Sequence, residues 1–489
     1  MMLPDTNHTN DDSFALHTDL YQINMTKSYW SDGIHDKKAV FEMYFRKLPF
    51  GNGYGIFAGL DRLVSYLQSF RFSETDLAYL QHEMGYEEEF IAYLRTVRFN
   101  GTLRCMVEGE LVFGNEPILR VEATLAVAQL IETALLNIVN YQTLIATKAS
   151  RMKQVIGDET ALEFGTRRAQ EMDAAVWGAR AAIIGGFDAT SNVRAGKLFG
   201  IPVAGTHAHA FVQAYEDEYT AFRKYAEHHR DCVFLVDTYD TLLSGVPNAI
   251  RVAKEMGDLI RFVGIRLDSG DLAYLSKRAR VMLDEAGFSD AKIFASNDLD
   301  EYTIINLRAQ GARINAWGIG TKLITSYEQA ALGAVYKLVA VEDENGGMRD
   351  VIKISGNPEK ISTPGMKRVY RIINKNSGKS EGDYIALDHE RPNEEPSLYM
   401  FHPVHTYQSK TVKNFEAREV HRTVFENGKL IYAIPSVEES KSYAAANLEL
   451  LWDEYKRSMH PEEYPVDLSP ECWDNKMEII ESVKVKREE

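Results

Sequence analysis

The sequence predicts an α/β protein: an irregular β/α barrel with a second, discontinuous α/β domain built from N- and C-terminal segments. Three observations carry that expectation. Between Leu162 and Gly320, short apolar runs recur, and each breaks into polar residues where a strand would end. The polar clusters lie roughly 20 to 32 residues apart, the spacing of repeated strand–helix units. On both sides of this stretch the chain returns to alternating, strand-like segments. Buried parallel strands read as continuous apolar runs because helices cover their outer faces. In β/α barrels the reacting groups gather at the carboxyl ends of those strands.

The elements follow in order. Residues 1–150 form the N-terminal part of the α/β domain. Within it, residues 13–30 suit an amphipathic helix, with Leu16, Leu20, Tyr21 and Ile23 among its larger side chains. Residues 40–45 alternate like a strand, and Pro49-Phe50-Gly51-Asn52-Gly53 is turn chemistry. Residues 60–67 and 75–80 read as helices, residues 103–121 as two short strands around Gly109 and Gly114, and residues 125–152 as one long helix. Residues 151–335 form the irregular barrel with the active site. Its strands are expected at residues 162–164, 182–184, 201–204, 233–236, 262–265, 293–295 and 316–317. Some gaps leave room for only a short helix, which makes a regular eight-fold barrel unsuitable. Residues 336–435 are a return segment packing on the N-terminal domain, with strands at 335–341, 351–354, 369–373 and 384–387. Residues 436–489 are a charged, helical C-terminal appendage at the surface.

Composition narrows the function classes. A net charge of -16 speaks against a dedicated nucleic-acid or anionic-membrane binder. The three cysteines, Cys105, Cys232 and Cys472, are far apart, form no CxxC pair and give no disulfide framework. No apolar run reaches membrane-spanning length. Residues 1–12 are polar and lack the basic-then-apolar pattern of a secretion signal. The expected location is the reducing cytoplasm.

The clusters at the strand ends suggest the chemistry. His207 and His209 lie two apart and suit a metal-ligand pair, yet no further histidine follows at the later strand ends. One histidine bonded in the core beside one exposed is the plain structural alternative; a catalytic or phosphoryl-accepting histidine is the functional one. Asp237-Thr238-Tyr239-Asp240, Asp268-Ser269-Gly270-Asp271 and Asn297-Asp298 bring carboxylates and hydroxyls to neighbouring strand ends. Such sets hold Mg²⁺ or ribose hydroxyls, and the same residue types also cap helices. Gly318-Ile319-Gly320-Thr321 can present backbone N–H groups to a phosphate. Arg167, Arg168 and Arg266 are cationic forks suited to phosphate or carboxylate.

Taken as a set, these clusters closely resemble nicotinate phosphoribosyltransferase, a type II phosphoribosyltransferase family. The matching stretches are Thr18-Asp19-Leu20-Tyr21-Gln22, Glu163-Phe164-Gly165-Thr166-Arg167-Arg168, Gly205-Thr206-His207-Ala208-His209, Arg266-Leu267-Asp268-Ser269-Gly270-Asp271 and Gly318-Ile319-Gly320-Thr321. The resemblance implies a homodimer with composite active sites that joins nicotinate to 5-phosphoribosyl-1-diphosphate. The products are nicotinate mononucleotide and diphosphate, with Mg²⁺ as cofactor and ATP as co-substrate in NAD salvage. By resemblance, His209 becomes a transient phosphohistidine, with Thr206 three residues before it. Tyr21 from the partner and Phe164 stack on the pyridine ring. Arg266 pairs with the nicotinate carboxylate, and Arg167 with phosphate or diphosphate oxygens. Asp268, Ser269 and Asp271 bind the ribose or its Mg²⁺, while Gly318, Gly320 and Thr321 hold the 5′-phosphate. Asp188, Ser191 and Asn192 line the same mouth without an assigned role, and no metal ligand is assigned.

The residue types suit that reaction. Departure of diphosphate leaves positive charge on the sugar and negative charge on the leaving group, and arginine and carboxylate groups complement the two. The pyridine nitrogen is already a nucleophile, so the protein's task is mainly positioning. Two alternatives stay open at this level: a barrel phosphoribosyltransferase preferring nicotinamide, and a Mg²⁺-dependent phosphate-ester hydrolase.

Overall fold

The computed structural model describes residues 14–357 and 360–488. The polar segment 1–12 lies outside the described residues. The chain divides into two units. One comprises Met1–Thr143, Ala331–Pro435 and Tyr443–Glu489; the other comprises Leu144–Ala330 and Ser436–Ser442.

The first unit interleaves the two ends of the chain, as the discontinuous domain requires. Inside its seven-stranded sheet, Lys38–Phe45 pairs antiparallel with Leu119–Thr124 on one side and Ala334–Glu342 on the other. The helix expected over 13–30 forms as Leu20–Ser31, and those expected over 60–67 and 75–80 as Leu60–Ser69 and Glu74–His82. The segment 103–121 carries three strands rather than two: Thr102–Met106, Leu111–Val112 and Leu119–Thr124. The long helix of 125–152 is broken into Leu125–Leu130 and Glu132–Ile156. Ile131 sits between them at ψ -7°, off the helical value. The strand expected at 351–354 instead ends at Asp350, and the Lys353 N–H is taken by the Ser362 hydroxyl at 2.9 Å.

A second six-stranded sheet in this unit corrects the reading of residues 436–489 as a surface appendage. Val466–Leu468 lies inside that sheet, parallel to Ser380–Leu387 and antiparallel to Ser397–Phe401. Leu451 and Cys472 are fully buried, and Tyr464 stacks on Phe113 with ring centroids 3.7 Å apart. Three residues, two of them buried, are too short a strand to show against the surrounding charges, so composition hides it.

The second unit is the barrel. Its strands are β1 (Thr160–Glu163), β2 (Ala189–Thr190), β3 (Asp231–Leu235), β4 (Arg261–Leu267), β5 (Lys292–Ser296) and β6 (Ala316–Ile319). All are parallel, in the order β2-β1-β6-β5-β4-β3. β2 neighbours β1, each of β4, β5 and β6 neighbours its predecessor in sequence, and β1 pairs with β6 to wrap the sheet round, which leaves β2 and β3 as its two edges. Past β2, Val203 forms a single parallel bridge to Thr190. The remaining seam is bridged by a side chain: His207 Nε2 accepts the Leu235 N–H at 3.2 Å. Leu162, Ala189, Phe294 and Ala316 fill the interior, with Phe164, Ala204, Val233 and Val263 packed against them.

One expected strand is a helix. Residues 182–184 end the helix Glu171–Ile184, and the strand comes later, at β2. Nearly every residue from Ala175 to Ile184 is buried, so the run lacks the polar face that would have marked it as helical. The shift also moves Asp188. It precedes β2 at the amino end, where it accepts the Ala161 N–H at 2.8 Å and pairs with Lys153 and Lys441. Asp188 therefore does not line the mouth.

Candidate active site

The mouth is built from the carboxyl ends of β1, β3, β4, β5 and β6 and the segment after Val203. Arg266, the penultimate residue of β4, organises it. Its Nε donates to Ser296 Oγ at 2.8 Å, one terminal nitrogen to Thr206 Oγ1 at 3.0 Å, and the other to Asp268 Oδ1 at 2.9 Å. The guanidinium carbon stands 5.6 Å from the centre of the Phe164 ring. Guanidinium has five N–H donors. By count, the three bonds leave one donor on each terminal nitrogen for an incoming planar anion.

Asp268 is held by Arg266 and by the Ser296 hydroxyl. Burial alone would raise its carboxyl, but the Ser296 hydrogen bond and the Arg266 charge outweigh burial and hold it below its ordinary value. Its own N–H donates to Asp237 Oδ2 at 2.8 Å, and Ser269 Oγ donates to the same oxygen at 2.6 Å. The other Asp237 oxygen, Oδ1, is buried and accepts no hydrogen bond among the described residues.

His209 opens the short helix His209–Gln213. Its Nδ1 lies 3.0 Å from Thr238 Oγ1, while Nε2 faces Asp237 Oδ1 at 3.9 Å and Asp268 Oδ2 at 3.8 Å. The ring is thus aimed by a hydroxyl on one side and faces two carboxylates on the other. It remains partly open to solvent. His207 is the opposite case: burial among aromatic rings pushes its pKa down to about 4, and its Nε2 is occupied by Leu235. The pair of histidines is therefore not a metal pair.

The remaining sequence-predicted residues divide. Phe164 is fixed by its N–H to the Ile319 carbonyl at 2.7 Å. Gly318 lets that ring approach, since a Cβ there would stand 2.6 Å from the Phe164 ring. Gly320 lies beside the Phe164 carbonyl, and Thr321 begins the short helix Thr321–Ile324. Arg167 is exposed on the turn Thr166–Arg168 and makes no ion pair among the described residues. Asp271 caps the helix Leu272–Glu285, accepting the Tyr274 N–H at 2.9 Å, and Asn192 likewise caps Val193–Phe199. For these two, helix capping is the role the structure displays. Tyr21 belongs to the other unit, half-exposed on Leu20–Ser31.

Sequence reasoning left Asp237, Thr238 and Ser296 without roles, although Asp237 and Thr238 lie in one of the strand-end clusters and Ser296 directly precedes another. Their only signal was position: each closes or follows a barrel strand beside an assigned residue. Glu163, inside a matching stretch, also had none.

A divalent cation fits the site in part. Asp237 and Asp268 offer oxygen donors of the type Mg²⁺ takes, and one of those oxygens is buried with no hydrogen bond among the described residues. Among the described residues, no group of three or more histidine, cysteine, aspartate or glutamate side chains is arranged to hold a metal. Mg²⁺ characteristically completes its shell with water and substrate phosphates.

Comparison with known proteins follows the same lines. Residues 160–380 match the nicotinate phosphoribosyltransferase (NAPRTase) family. Residues 16–140 and 366–476 match the N-terminal and C-terminal domains of nicotinate phosphoribosyltransferase. A nicotinate phosphoribosyltransferase of Bacillus subtilis (strain 168) is 69% identical over 479 residues, spanning 98% of each chain. One of Mus musculus is 34% identical over 511 residues, spanning 92% of this chain and 94% of that one. The crystal structure of human nicotinic acid phosphoribosyltransferase matches with a TM-score of 0.84 at 31% identity, covering 94% of this chain and 99% of that one.

Proposed function

The chain belongs to the nicotinate phosphoribosyltransferase family, and we propose that it joins nicotinate to 5-phosphoribosyl-1-diphosphate with ATP coupled through His209. The observation that carries this reading is the convergence of Arg266, Asp268, Asp237 and His209 at one barrel mouth. The bond from ribose C1 to the diphosphate oxygen breaks, the pyridine nitrogen bonds to C1, and diphosphate departs. The nicotinate ring rests on Phe164, and its carboxylate takes the two remaining Arg266 donors, a planar bidentate match. This favours nicotinate over nicotinamide, since a neutral amide gains less from a guanidinium. Asp268 faces the positive charge that develops on the sugar.

Arg167 is free to meet phosphate or diphosphate oxygens, and the exposed Ser269, whose proton goes to Asp237, can accept from a ribose hydroxyl. Gly320 and Thr321 offer backbone N–H groups to the 5′-phosphate, while Gly318 serves by admitting Phe164. Asp271, capping its helix, contributes through loop geometry more than contact. Asp237 and Asp268 would hold Mg²⁺, which supplies charge neutralisation for the leaving diphosphate when bound. His209 accepts the γ-phosphoryl group of ATP and later yields it to water. While phosphorylated, it places strong negative charge beside the two carboxylates and favours a cation there.

We assign a homodimer in which the partner's Tyr21 covers the second face of the pyridine. We assign the chain to the cytoplasm, a reducing compartment that suits the buried free thiols of Cys105, Cys232 and Cys472.

The test is mononucleotide formation from 5-phosphoribosyl-1-diphosphate with nicotinate or nicotinamide, with Mg²⁺, with and without ATP. The expected result is product from nicotinate, stimulated by ATP, with the stimulation lost in His209→Ala. Product from nicotinamide alone favours the amide-preferring alternative. Phosphate release without a pyridine acceptor favours the hydrolase, and retained ATP stimulation in His209→Ala overturns the histidine's role.

A further inference from the structure

Glu163 is a fully buried carboxylate with no ion pair among the described residues. Burying an uncompensated acid is costly, so the hydrogen bonds around it define what it does. The Gly165 N–H donates to Oε1, and Thr190 Oγ1 donates to Oε2 at 2.5 Å. An ionised carboxylate can only accept, so Thr190 gives its one proton to Oε2 while its oxygen accepts the Asn192 N–H at 3.0 Å; burial raises the Glu163 pKa, and these two hydrogen bonds act against that. Glu163 thus meets a donor at each oxygen. A glutamine of the same shape would turn an NH₂ toward one of them.

These bonds surround Phe164. Before it, the Glu163 carbonyl accepts the Ser191 N–H at 2.9 Å; at it, the Phe164 N–H meets Ile319; after it, Gly165 is tied back to the Glu163 carboxylate. Gly165 has no room to move outward, since a Cβ there would stand 2.5 Å from the Ile324 Cβ. The ring itself lies close against Gly318, and the Arg266 guanidinium stands 5.6 Å from its centre.

We infer that Glu163 is a positioning residue that sets the Phe164 ring against the pyridine ring, and so tunes nicotinate affinity without touching any substrate. The inference rests on the proposed stacking of nicotinate on Phe164. A side chain accepting at both oxygens closes the loop around Gly165 and ties it to Thr190 of β2, in addition to the backbone pairing of β1 with β2.

The experiment is steady-state kinetics of nicotinate mononucleotide formation by the full chain, comparing Glu163→Gln, Phe164→Ala and the double variant, with thermal unfolding alongside. In Glu163→Gln the KM for nicotinate should rise about tenfold. The kcat and the KM for 5-phosphoribosyl-1-diphosphate should change less than about threefold. Adding Glu163→Gln to Phe164→Ala should then cost less than about twofold more, because the two act through one ring. An unchanged nicotinate KM, an equal loss in every parameter, or full additivity with Phe164→Ala would overturn the inference. Should Glu163→Gln fail to fold, Thr190→Val removes the donor to Oε2 and is read by the same KM. If the unmodified chain makes no nicotinate mononucleotide, the underlying activity falls instead, which is a separate outcome.

Discussion

Two histidines, two residues apart, show how much a few ångströms decide. His207 spends its Nε2 on the Leu235 N–H and sits among Phe211, Phe222 and Tyr225, so it is held neutral in the fold. His209 points into the mouth, aimed by Thr238. The depressed pKa of His207 has a defined consequence. Below about pH 6.5 the unfolded chain takes up a proton that the native chain refuses until about pH 4. Stability from this group is therefore complete above pH 6.5 and is lost as pH falls through that window, by about 2 kcal/mol at pH 5. Unfolding measured at pH 7.5 and pH 5 should show a smaller loss in His207→Gln, which keeps an acceptor for Leu235 but does not titrate. An identical loss in both would remove the assignment.

At the scale of elements, the short pieces matter most. β2 has two residues, yet it carries Thr190 to Glu163 and the bridge to Val203. The C-terminal strand Val466–Leu468 has three, yet it fills the place between two other strands of its sheet. Ending the chain after Pro435 should therefore do more than trim a surface. It removes an internal strand along with the buried Leu451, Tyr464 and Cys472. The expected outcome is an insoluble or molten product by circular dichroism and gel filtration. A soluble, cooperatively unfolding truncation would contradict the placement of this strand.

For the whole molecule, the first unit is stitched from three separated segments around a buried ionic core. Arg371 is fully buried, bonded to Asp383 at 2.9 and 2.7 Å and to Glu110, and Tyr464 donates to Asp383 at 2.8 Å. These residues come from the N-terminal, return and C-terminal segments, so the core forms only when all three meet. The proposed composite site belongs to this scale too. If the partner's Tyr21 completes each site, then mixing Tyr21→Ala with His209→Ala, each poorly active alone, should restore about a quarter of normal activity after subunit exchange, since half the dimers carry one intact site. No recovery in the exchanged mixture would place Tyr21 outside the neighbouring site.

The fold class, the family and most of the barrel's strand ends were legible in the order of the residues, the run at 182–184 excepted. Apolar runs, their polar breaks and the motif set are local properties, and they survive translation into structure. The sequence also supplied His209, Arg266, Asp268 and Phe164, each lying in or just after an apolar run. Tertiary structure alone decided that 182–184 is helix and 466–468 is strand, because burial of a short segment depends on its neighbours rather than its own composition. It likewise separated Asp271 and Asn192, which cap helices, from Asp237, Thr238 and Ser296, which meet the site. The residue types at these positions are alike. What differs is the direction each side chain takes, and that is fixed only once the strands lie side by side.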